Sequence, residues 1–304
     1  MQLKPALEQG IALLEKGGIP SPRIAAEVLL MHALVCDRAH LYAHPERELT
    51  EVEWIHYGRY LNERLSGKPT QYITGHQEFW GLDFLVNPSV LIPRPETELV
   101  VEAALALVRR HFSVSNASSE KTEKTDSAEQ TKLFIADVGT GSGCIAIALA
   151  TELPGAHIYA LDFSPQALET ARQNAHRHDV EHRITFLLSN LLEPTVEIPI
   201  PQFNLLVSNP PYVSDIIIDS LMPEVRYFEP QEALLAGETG QEIYARLIPQ
   251  AARAMPSGGC LVLELGYDAQ EKVRSLLAAP RWEDVAWLPD LAGIIRVVTA
   301  RRKP

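Results

Sequence analysis

Short apolar runs alternate with segments of helical periodicity from Leu133 to the end of the chain. A short apolar run predicts a buried strand, and apolar residues at helical spacing predict a helix that packs on one face. Strands that alternate with helices indicate an α/β fold with a doubly wound, mostly parallel sheet. The predicted strands are 133–138, 157–162, 184–189, 203–208, 259–265, 283–288 and 294–300, and the predicted helices are 142–152, 165–178, 240–255 and 269–278.

The last two predicted strands follow each other closely through residues 289–293, which include a proline and a glycine. Such a short connection suits neighbouring antiparallel strands. We therefore expect a terminal antiparallel hairpin on the edge of the sheet.

Residues 1–67 carry apolar residues at helical spacing and predict a small all-helical N-terminal domain. Ser21 and Pro22 stand in the order of an N-cap followed by a first-turn proline, so we expect them to begin the second helix. A third helix is predicted to begin near Thr50.

Residues 68–90 mix aromatic and β-branched residues with glycines, which predicts a β-hairpin that links two domains. The second domain then spans residues 91–304. It begins with a proline-stiffened arm, residues 91–98, that leads into a helix ending near Phe112, opened by Glu96 or Thr97. Two interpretations of the arm stay open: a linker with a capped helix, or a rigid support that holds Arg94 and Glu98 near an active site.

Residues 113–132 are rich in Ser, Thr, Glu and Lys and contain one aliphatic residue, Val114. Such a segment cannot bury enough apolar surface to offset the entropy lost on ordering. We expect a flexible, solvent-exposed insertion.

The chain of 304 residues has a formal net charge of −12, which argues against tight binding to a nucleic-acid backbone. Its three cysteines are far apart, and no pattern of metal ligands is evident. The N-terminus lacks the features of a signal peptide, and no apolar run is long enough to span a membrane. These features predict a cytoplasmic protein without a metal site.

A glycine-rich loop follows the first strand of the second domain and opens a helix. We call it the glycine loop; its residues are Gly139, Thr140, Gly141, Ser142 and Gly143. Glycines there let the backbone turn tightly and come close to a ligand, and the helix N-terminus offers unpaired N–H groups. The spacing differs from that of dinucleotide-binding and phosphate-binding loops. The alternative is a tight strand–helix turn without a ligand.

Polar residues also end the next two strands. Asp162 ends the second, where a carboxylate can accept hydrogen bonds from ribose hydroxyls, or can cap the helix that begins at Pro165. Asn190 ends the third, where its amide oxygen can accept from an adenine amino group, although asparagine is also common in turns. With the glycine loop, these residues indicate a nucleoside-containing ligand. The absence of a Lys or Arg for a pyrophosphate is consistent with S-adenosylmethionine.

The fourth strand delivers four residues that we call the tetrad: Asn209, Pro210, Pro211 and Tyr212. The two prolines end the strand and stiffen the backbone around them. A planar NH2 group can donate to the side-chain oxygen of Asn209 and to the carbonyl of Pro210, while the ring of Tyr212 stacks on its plane. An amide or aromatic amine held this way can be aimed at a methyl group without a general base. The alternative is a proline-rich turn.

These motifs resemble those of the HemK family of glutamine N5-methyltransferases (PrmC-like), which act on peptide-chain release factors. The similarity covers nearly the whole chain. It is carried by residues 21–23 with Glu27, Leu29 and Leu30, by residues 67–75, 79–81, 93–98, 139–143, 162 and 209–212, and by residues 228–230 with Ala233 and Leu234.

The resemblance implies a class I S-adenosylmethionine-dependent methyltransferase with a Rossmann-like sheet and a helical N-terminal domain that docks the substrate protein. It also implies the glutamine of a Gly-Gly-Gln tripeptide as the methyl acceptor. The tetrad would then grip that amide, with Asn209 and Pro210 as its direct partners. The glycine loop, Asp162, Asn190, Leu191 and Asn209 would line the cofactor pocket.

The chain departs from the family in two places. Asn190 stands where the family usually has Asp, and the insertion at 113–132 is longer and more polar than is usual.

Three other functions compete with this hypothesis. The tetrad also occurs in enzymes that methylate adenine N6 in DNA, against which the acidic charge and the helical leader argue. A glutamine methyltransferase of a ribosomal protein is closer, and the arm at 91–98 favours the release-factor type over it. A catalytically silent binding module would be free to lose these motifs. We therefore predict class 1 release factors as partners, no direct contact with nucleic acid or membrane, and a monomer.

Overall fold

The computed structural model describes residues 1–112, 132–195, 199–278 and 280–304. The insertion predicted at 113–132 lies outside these residues, apart from Lys132. The helices are α1 (Leu3–Lys16), α2 (Pro22–Leu34), α3 (Arg38–Ala43), α4 (Glu51–Leu65), α5 (Thr70–Thr74), α6 (Glu98–His111), α7 (Cys144–Glu152), α8 (Pro165–Arg177), α9 (Pro223–Phe228), α10 (Glu242–Ala254) and α11 (Gln270–Leu277).

The strands are β1 (His76–Phe79), β2 (Leu82–Leu85), β3 (Leu133–Val138), β4 (Ala156–Asp162), β5 (Ile184–Asn190), β6 (Glu193–Pro194), β7 (Leu205–Ser208), β8 (Val213–Ser214), β9 (Leu235–Gly237), β10 (Cys260–Glu264), β11 (Trp282–Pro289) and β12 (Ile295–Arg302).

An eight-stranded sheet forms the centre of the second half of the chain, in the order β11-β12-β10-β7-β3-β4-β5-β6. The five strands from β10 to β5 run parallel to one another, and β6 lies antiparallel to β5. β12 lies antiparallel to β10, and β11 lies antiparallel to β12 at the edge. The predicted doubly wound sheet with a terminal antiparallel hairpin is confirmed.

The central strands are mostly apolar because helices cover both faces of the sheet. Along β7, Leu205 and Val207 belong to one buried cluster, together with residues of α6 and α7. Leu206, which points to the opposite face, belongs to a second cluster with residues of α10 and α11. A run without polar alternation is therefore the expected pattern for this strand.

The chain divides into two compact units. The first contains Met1–His76, Val86–Pro88 and Leu221–Glu229, and the second contains the remaining described residues. The two strands of the β1–β2 hairpin thus belong almost entirely to the second unit. α9 returns to the first unit, where Glu224 forms an ion pair with the buried Arg64 of α4.

The first unit is helical, as predicted, and has its own apolar core from α1, α2 and α4. Two short helices, α3 and α5, were not predicted. Asp37 begins α3 by accepting a hydrogen bond from the His40 backbone N–H at 2.7 Å. α5 takes up part of the region predicted as a hairpin, and it ends at Gly75, whose φ is 79°.

The predicted N-cap at Ser21 is wrong in one respect. Pro22 does begin α2, but the Ser21 backbone is left-handed, with φ 51°, and its side chain makes no capping hydrogen bond. A left-handed backbone turns the hydroxyl away from the first N–H groups of the helix, which an N-cap in the extended region would reach.

Candidate functional site

Four neighbouring parallel strands, β7, β3, β4 and β5, end at one edge of the sheet. Their last residues are Ser208, Val138, Asp162 and Asn190. In an open α/β sheet this edge, at the carboxyl ends of the strands, is where ligands bind. The fold therefore brings the glycine loop, Asp162, Asn190 and the tetrad to the same edge.

The glycine loop is a tight turn that the fold keeps accessible. Gly139, Gly141 and Gly143 all have positive φ, at 75°, 55° and 83°. A Cβ on Gly139 or Gly141 would meet no described atom within 4 Å, whereas a Cβ on Gly143 would lie 3.0 Å from Ile147 Cδ1. The first two glycines thus leave backbone that a ligand can approach, and the third lets the following helix pack closely.

Asp137, near the end of β3, stabilises the glycine loop through hydrogen bonds. Its Oδ2 accepts hydrogen bonds from the Thr140 hydroxyl at 2.7 Å and from the Ala146 N–H at 3.1 Å. Its Oδ1 is buried and has no hydrogen-bond partner among the described residues. Burial raises the pKa of Asp137 to about 7. No role for Asp137 was predicted from the sequence.

We expect Asp137→Asn to make stability less sensitive to pH. The pKa rises from its ordinary 3.8 to about 7, so the folded protein holds a proton that the unfolded chain releases between these values. The free energy of unfolding therefore decreases as pH rises through this window, by up to about 4 kcal/mol. Asparagine cannot titrate, so the fall in Tm from pH 5.5 to pH 8 should be smaller in the variant.

Thermal unfolding of both proteins at the two pH values measures this effect. Glu264, whose pKa burial also raises to about 7, adds to the fall in both proteins, so the variant should keep part of it. Asp83→Asn, at a partly exposed carboxylate that pairs with Arg177, serves as the control. An unchanged fall in Asp137→Asn would contradict the prediction.

Asp162 contacts the glycine loop directly. Its Oδ2 accepts from the Gly141 N–H at 2.8 Å, and its Oδ1 accepts from the Ser164 N–H at 2.9 Å. Burial raises its pKa, while these hydrogen bonds lower it. Ser164 itself caps α8 through its hydroxyl, which accepts from the Ala167 N–H. The alternative role for Asp162, as the cap of that helix, is therefore filled by Ser164.

The donors and acceptors at this edge fit a cationic nucleoside cofactor such as S-adenosylmethionine. Asp137 has a buried carboxylate oxygen without a partner among the described residues, and Asp162, whose carboxylate accepts from three backbone N–H groups, keeps a lone pair for a hydroxyl donor. Gly139 and Gly141 leave the backbone open beside these carboxylates. Carboxylates suit ribose hydroxyls and a positive charge.

Asn190 and Leu191 lie at the end of β5. Asn190 is exposed, and its Oδ1 accepts a hydrogen bond from Arg246 at 2.8 Å. Leu191 has a left-handed backbone, with φ 57°, and its carbonyl accepts from the Ser189 hydroxyl at 2.7 Å. The amide oxygen that we predicted to contact adenine is thus shared with Arg246. The contact stays a prediction.

The tetrad is held rigidly on both sides. Before it, the Ser208 hydroxyl donates to the Val138 carbonyl at 2.6 Å, which ties β7 to the end of β3. Behind it, the ring of Tyr212 lies against Gly266, where a Cβ would come within 2.8 Å of Cδ2. Burial raises the pKa of the Tyr212 hydroxyl to about 12, so the ring stays neutral. Pro210 is buried and Pro211 is half-buried.

Asn209 is anchored by Thr97, which the sequence alone predicts only as the start of a helix. Its Nδ2 donates to Thr97 Oγ1 at 3.1 Å. Thr97 makes no capping hydrogen bond to α6; its hydroxyl instead bonds the carboxylate of Glu264 at the end of β10. Glu264 stands at the end of a buried apolar run, and this position was the signal in the sequence that could have identified it.

Each of the two interpretations of the arm at 91–98 holds for one of its residues. Arg94 lies close enough to Tyr212 and Glu264 for its charge to lower the pKa of both, although burial raises them more. Glu98 instead accepts a hydrogen bond from the Trp80 N–H at 2.8 Å and so fastens the β1–β2 hairpin. Arg94 therefore belongs to the surroundings of the tetrad, and Glu98 supports the fold.

Comparisons with known proteins agree with this geometry. Residues 5–75 match the family model of the PrmC N-terminal domain, and residues 122–222 match that of the methyltransferase small domain. A release factor glutamine methyltransferase of Koribacter versatilis is 43% identical, over 99% of this chain and 99% of its own. One of Moorella thermoacetica is 40% identical, over 100% and 99%.

A solved structure shows the same fold at low sequence identity. The catalytic domain of hMettl16, in complex with a MAT2A 3'UTR hairpin, is 14% identical, with a TM-score of 0.54 over 86% of this chain and 84% of that chain.

In the part of the chain that the structure describes, no helix is both long and apolar enough to cross a membrane.

Proposed function

The chain belongs to the release factor glutamine methyltransferase family, and from this premise we propose that it methylates the side-chain amide nitrogen (N5) of a glutamine in peptide-chain release factors, with S-adenosylmethionine as methyl donor. The acceptor is the glutamine of the Gly-Gly-Gln tripeptide. The protein works as a cytoplasmic monomer, and its helical N-terminal unit docks the release factor.

One observation carries the proposal more than any other: the anchoring of Asn209. Its Nδ2 donates to Thr97, and its Oδ1 has no donor among the described residues, so this oxygen is an available acceptor on a rigid turn. A planar primary amide needs an acceptor of this kind to fix the direction of its N–H bonds. The carbonyl of Pro210, next in the chain, is the second acceptor.

The tetrad acts by orientation. An amide nitrogen is a weak nucleophile because its lone pair is delocalised into the carbonyl. Acceptors that hold its hydrogens turn the nitrogen towards the methyl group, and orientation of reactants can lower a barrier by about 7–11 kcal/mol. They also favour the positive charge that develops on nitrogen. The ring of Tyr212, held against Gly266, packs on the amide plane.

The residues of the other strand ends hold the cofactor. Asp162 takes the ribose hydroxyls, and Gly139 and Gly141 admit the ligand to the backbone. Asn190 and Leu191 flank the adenine. When bound, S-adenosylmethionine supplies an electrophilic methyl group on a sulfonium. A proton is not required to leave the amide first, because the nitrogen becomes acidic once it is methylated.

Transfer of a labelled methyl group tests the proposal. The purified protein with labelled S-adenosylmethionine is expected to label a class 1 release factor and to spare a variant of that factor with Gln→Ala in Gly-Gly-Gln. Equal labelling of the two factors would exclude this glutamine. A ribosomal protein fraction and an adenine-containing DNA duplex, offered in parallel, represent the two competing enzyme classes, and preferential labelling of either would overturn the proposal. No labelling at all would favour the silent binding module.

A further inference from the structure

A row of hydrogen bonds runs from the tetrad into the protein interior. Asn209 Nδ2 donates to Thr97 Oγ1 at 3.1 Å, and the Thr97 hydroxyl bonds the carboxylate of Glu264. Thr97 and Glu264 are each only 2% exposed. The three residues come from the start of α6, the turn after β7 and the end of β10, and β10 pairs with β7.

The chemistry of these three side chains decides which group donates and which accepts in each hydrogen bond of the row. Above the pKa of Glu264, which burial raises to about 7, its carboxylate is ionised, accepts hydrogen bonds and donates none, so the single hydroxyl proton of Thr97 goes to Glu264. The Thr97 oxygen is then left with lone pairs towards Asn209, and it requires a donor there. Only the NH2 end of the Asn209 amide meets this requirement. The opposite end, Oδ1, must therefore face away from Thr97.

We propose that Thr97, supported by Glu264, is a positioning residue that holds the Asn209 amide with its oxygen towards the methyl-accepting amide. This inference rests on the proposed function. Without the row, the Asn209 amide can turn over and present its NH2 group to the NH2 group of the substrate, where two donors oppose each other. Thr97 does not touch the substrate; it acts through Asn209.

The surroundings of Glu264 agree with a functional role for the row. A carboxylate at the end of a central strand is costly to bury, and its Oε2 has no hydrogen-bond partner among the described residues. An apolar residue would suit the sheet better.

Burial and the nearby charge of Glu96 raise the pKa of Glu264, whereas Thr97, Arg296 and Arg94 lower it. The Tyr244 hydroxyl donates to the Glu264 backbone carbonyl at 2.8 Å, and Tyr212 lies close enough for the charge of Glu264 to raise the pKa of its hydroxyl.

Thr97→Val and Thr97→Ser separate the hydroxyl from the shape of the side chain. Valine keeps the shape and removes the hydroxyl, so we expect kcat for release-factor methylation to fall roughly 10-fold to 100-fold. The S-adenosylmethionine Kd should change by less than about twofold, because a residue that acts through Asn209 does not reach the cofactor carboxylates. Serine keeps the hydroxyl and should stay within about threefold of the wild type.

Thr170→Val is the matched control. Thr170 is a buried threonine of α8 whose hydroxyl bonds the Gln166 carbonyl within its own helix. Its replacement should leave kcat unchanged. Tm values of all variants show whether they fold, and Thr97→Ala, which is smaller, replaces Thr97→Val if the valine crowds its site.

A double-mutant cycle distinguishes positioning from an independent effect. In the Asn209→Ala background the row has nothing to orient, so adding Thr97→Val should lower kcat by less than about twofold. Full additivity of the two losses would overturn the inference. A wild-type kcat in Thr97→Val, or equal losses in Thr97→Ser and Thr97→Val, would overturn it as well. If the wild type labels no release factor, the proposed function itself fails and the inference falls with it.

Discussion

Replacing Asn209 with alanine is expected to lower kcat for release-factor methylation by at least about 100-fold, up to about 1000-fold. The Asn209 side chain supplies the acceptor that orients the substrate amide, and its loss frees the nitrogen to rotate away from the methyl group. The effect should appear in kcat rather than in the KM of the release factor, since the contact matters most as charge develops on nitrogen. Single-turnover methylation at saturating cofactor measures it.

Cofactor binding serves as the internal check on this variant. Asn209 makes its hydrogen bond to Thr97, and Asp162 and the glycine loop bond one another. The S-adenosylmethionine Kd should therefore change by only a few-fold, on the order of threefold. Asn62→Ala, at an exposed asparagine of α4, is the matched control and should keep wild-type kcat. A wild-type kcat in Asn209→Ala would remove this residue from the mechanism.

Replacing Asp162 with alanine is expected to weaken S-adenosylmethionine binding by about 10-fold to 150-fold. The carboxylate is proposed to accept from the ribose hydroxyls, and hydrogen bonds to a charged group contribute about 1.5–3 kcal/mol. It also accepts from the Gly141 N–H at 2.8 Å, so its loss releases the glycine loop from its observed shape. Calorimetric titration of the variant with S-adenosylmethionine gives the change in Kd.

Two companion variants sharpen the result. Asp162→Asn keeps one acceptor oxygen and should lose less affinity than the alanine variant. Asp83→Ala, at a partly exposed carboxylate, should bind the cofactor normally. At saturating cofactor the kcat of Asp162→Ala should recover to within about threefold of the wild type, because this residue does not contact the accepting amide. Unchanged affinity in Asp162→Ala would refute the assigned role.

Much of the fold was predictable because its signals are local. The runs at 133–138 and 203–208 are mostly apolar and show no regular polar alternation, which is typical of strands covered on both faces, and the structure has β3 and β7 there. By contrast, the segments around β8, α9 and β9 were not predicted. These segments are too short to show a hydrophobic period. In addition, α9 belongs to the first compact unit although it lies between strands of the second unit along the chain.

The sequence by itself determined the order of strands and helices, the glycine loop and the polar residues at the strand ends. These follow from periodicity and from the chemistry of residues adjacent in the chain. Only the tertiary structure decided what supports them. The local sequence predicts Thr97 as the start of a helix and Glu264 as part of a strand, yet Thr97 bonds both Glu264 and Asn209, and Asn209 lies 112 residues from Thr97. Contacts across that separation depend on the order in which strands pair, and no local pattern records it.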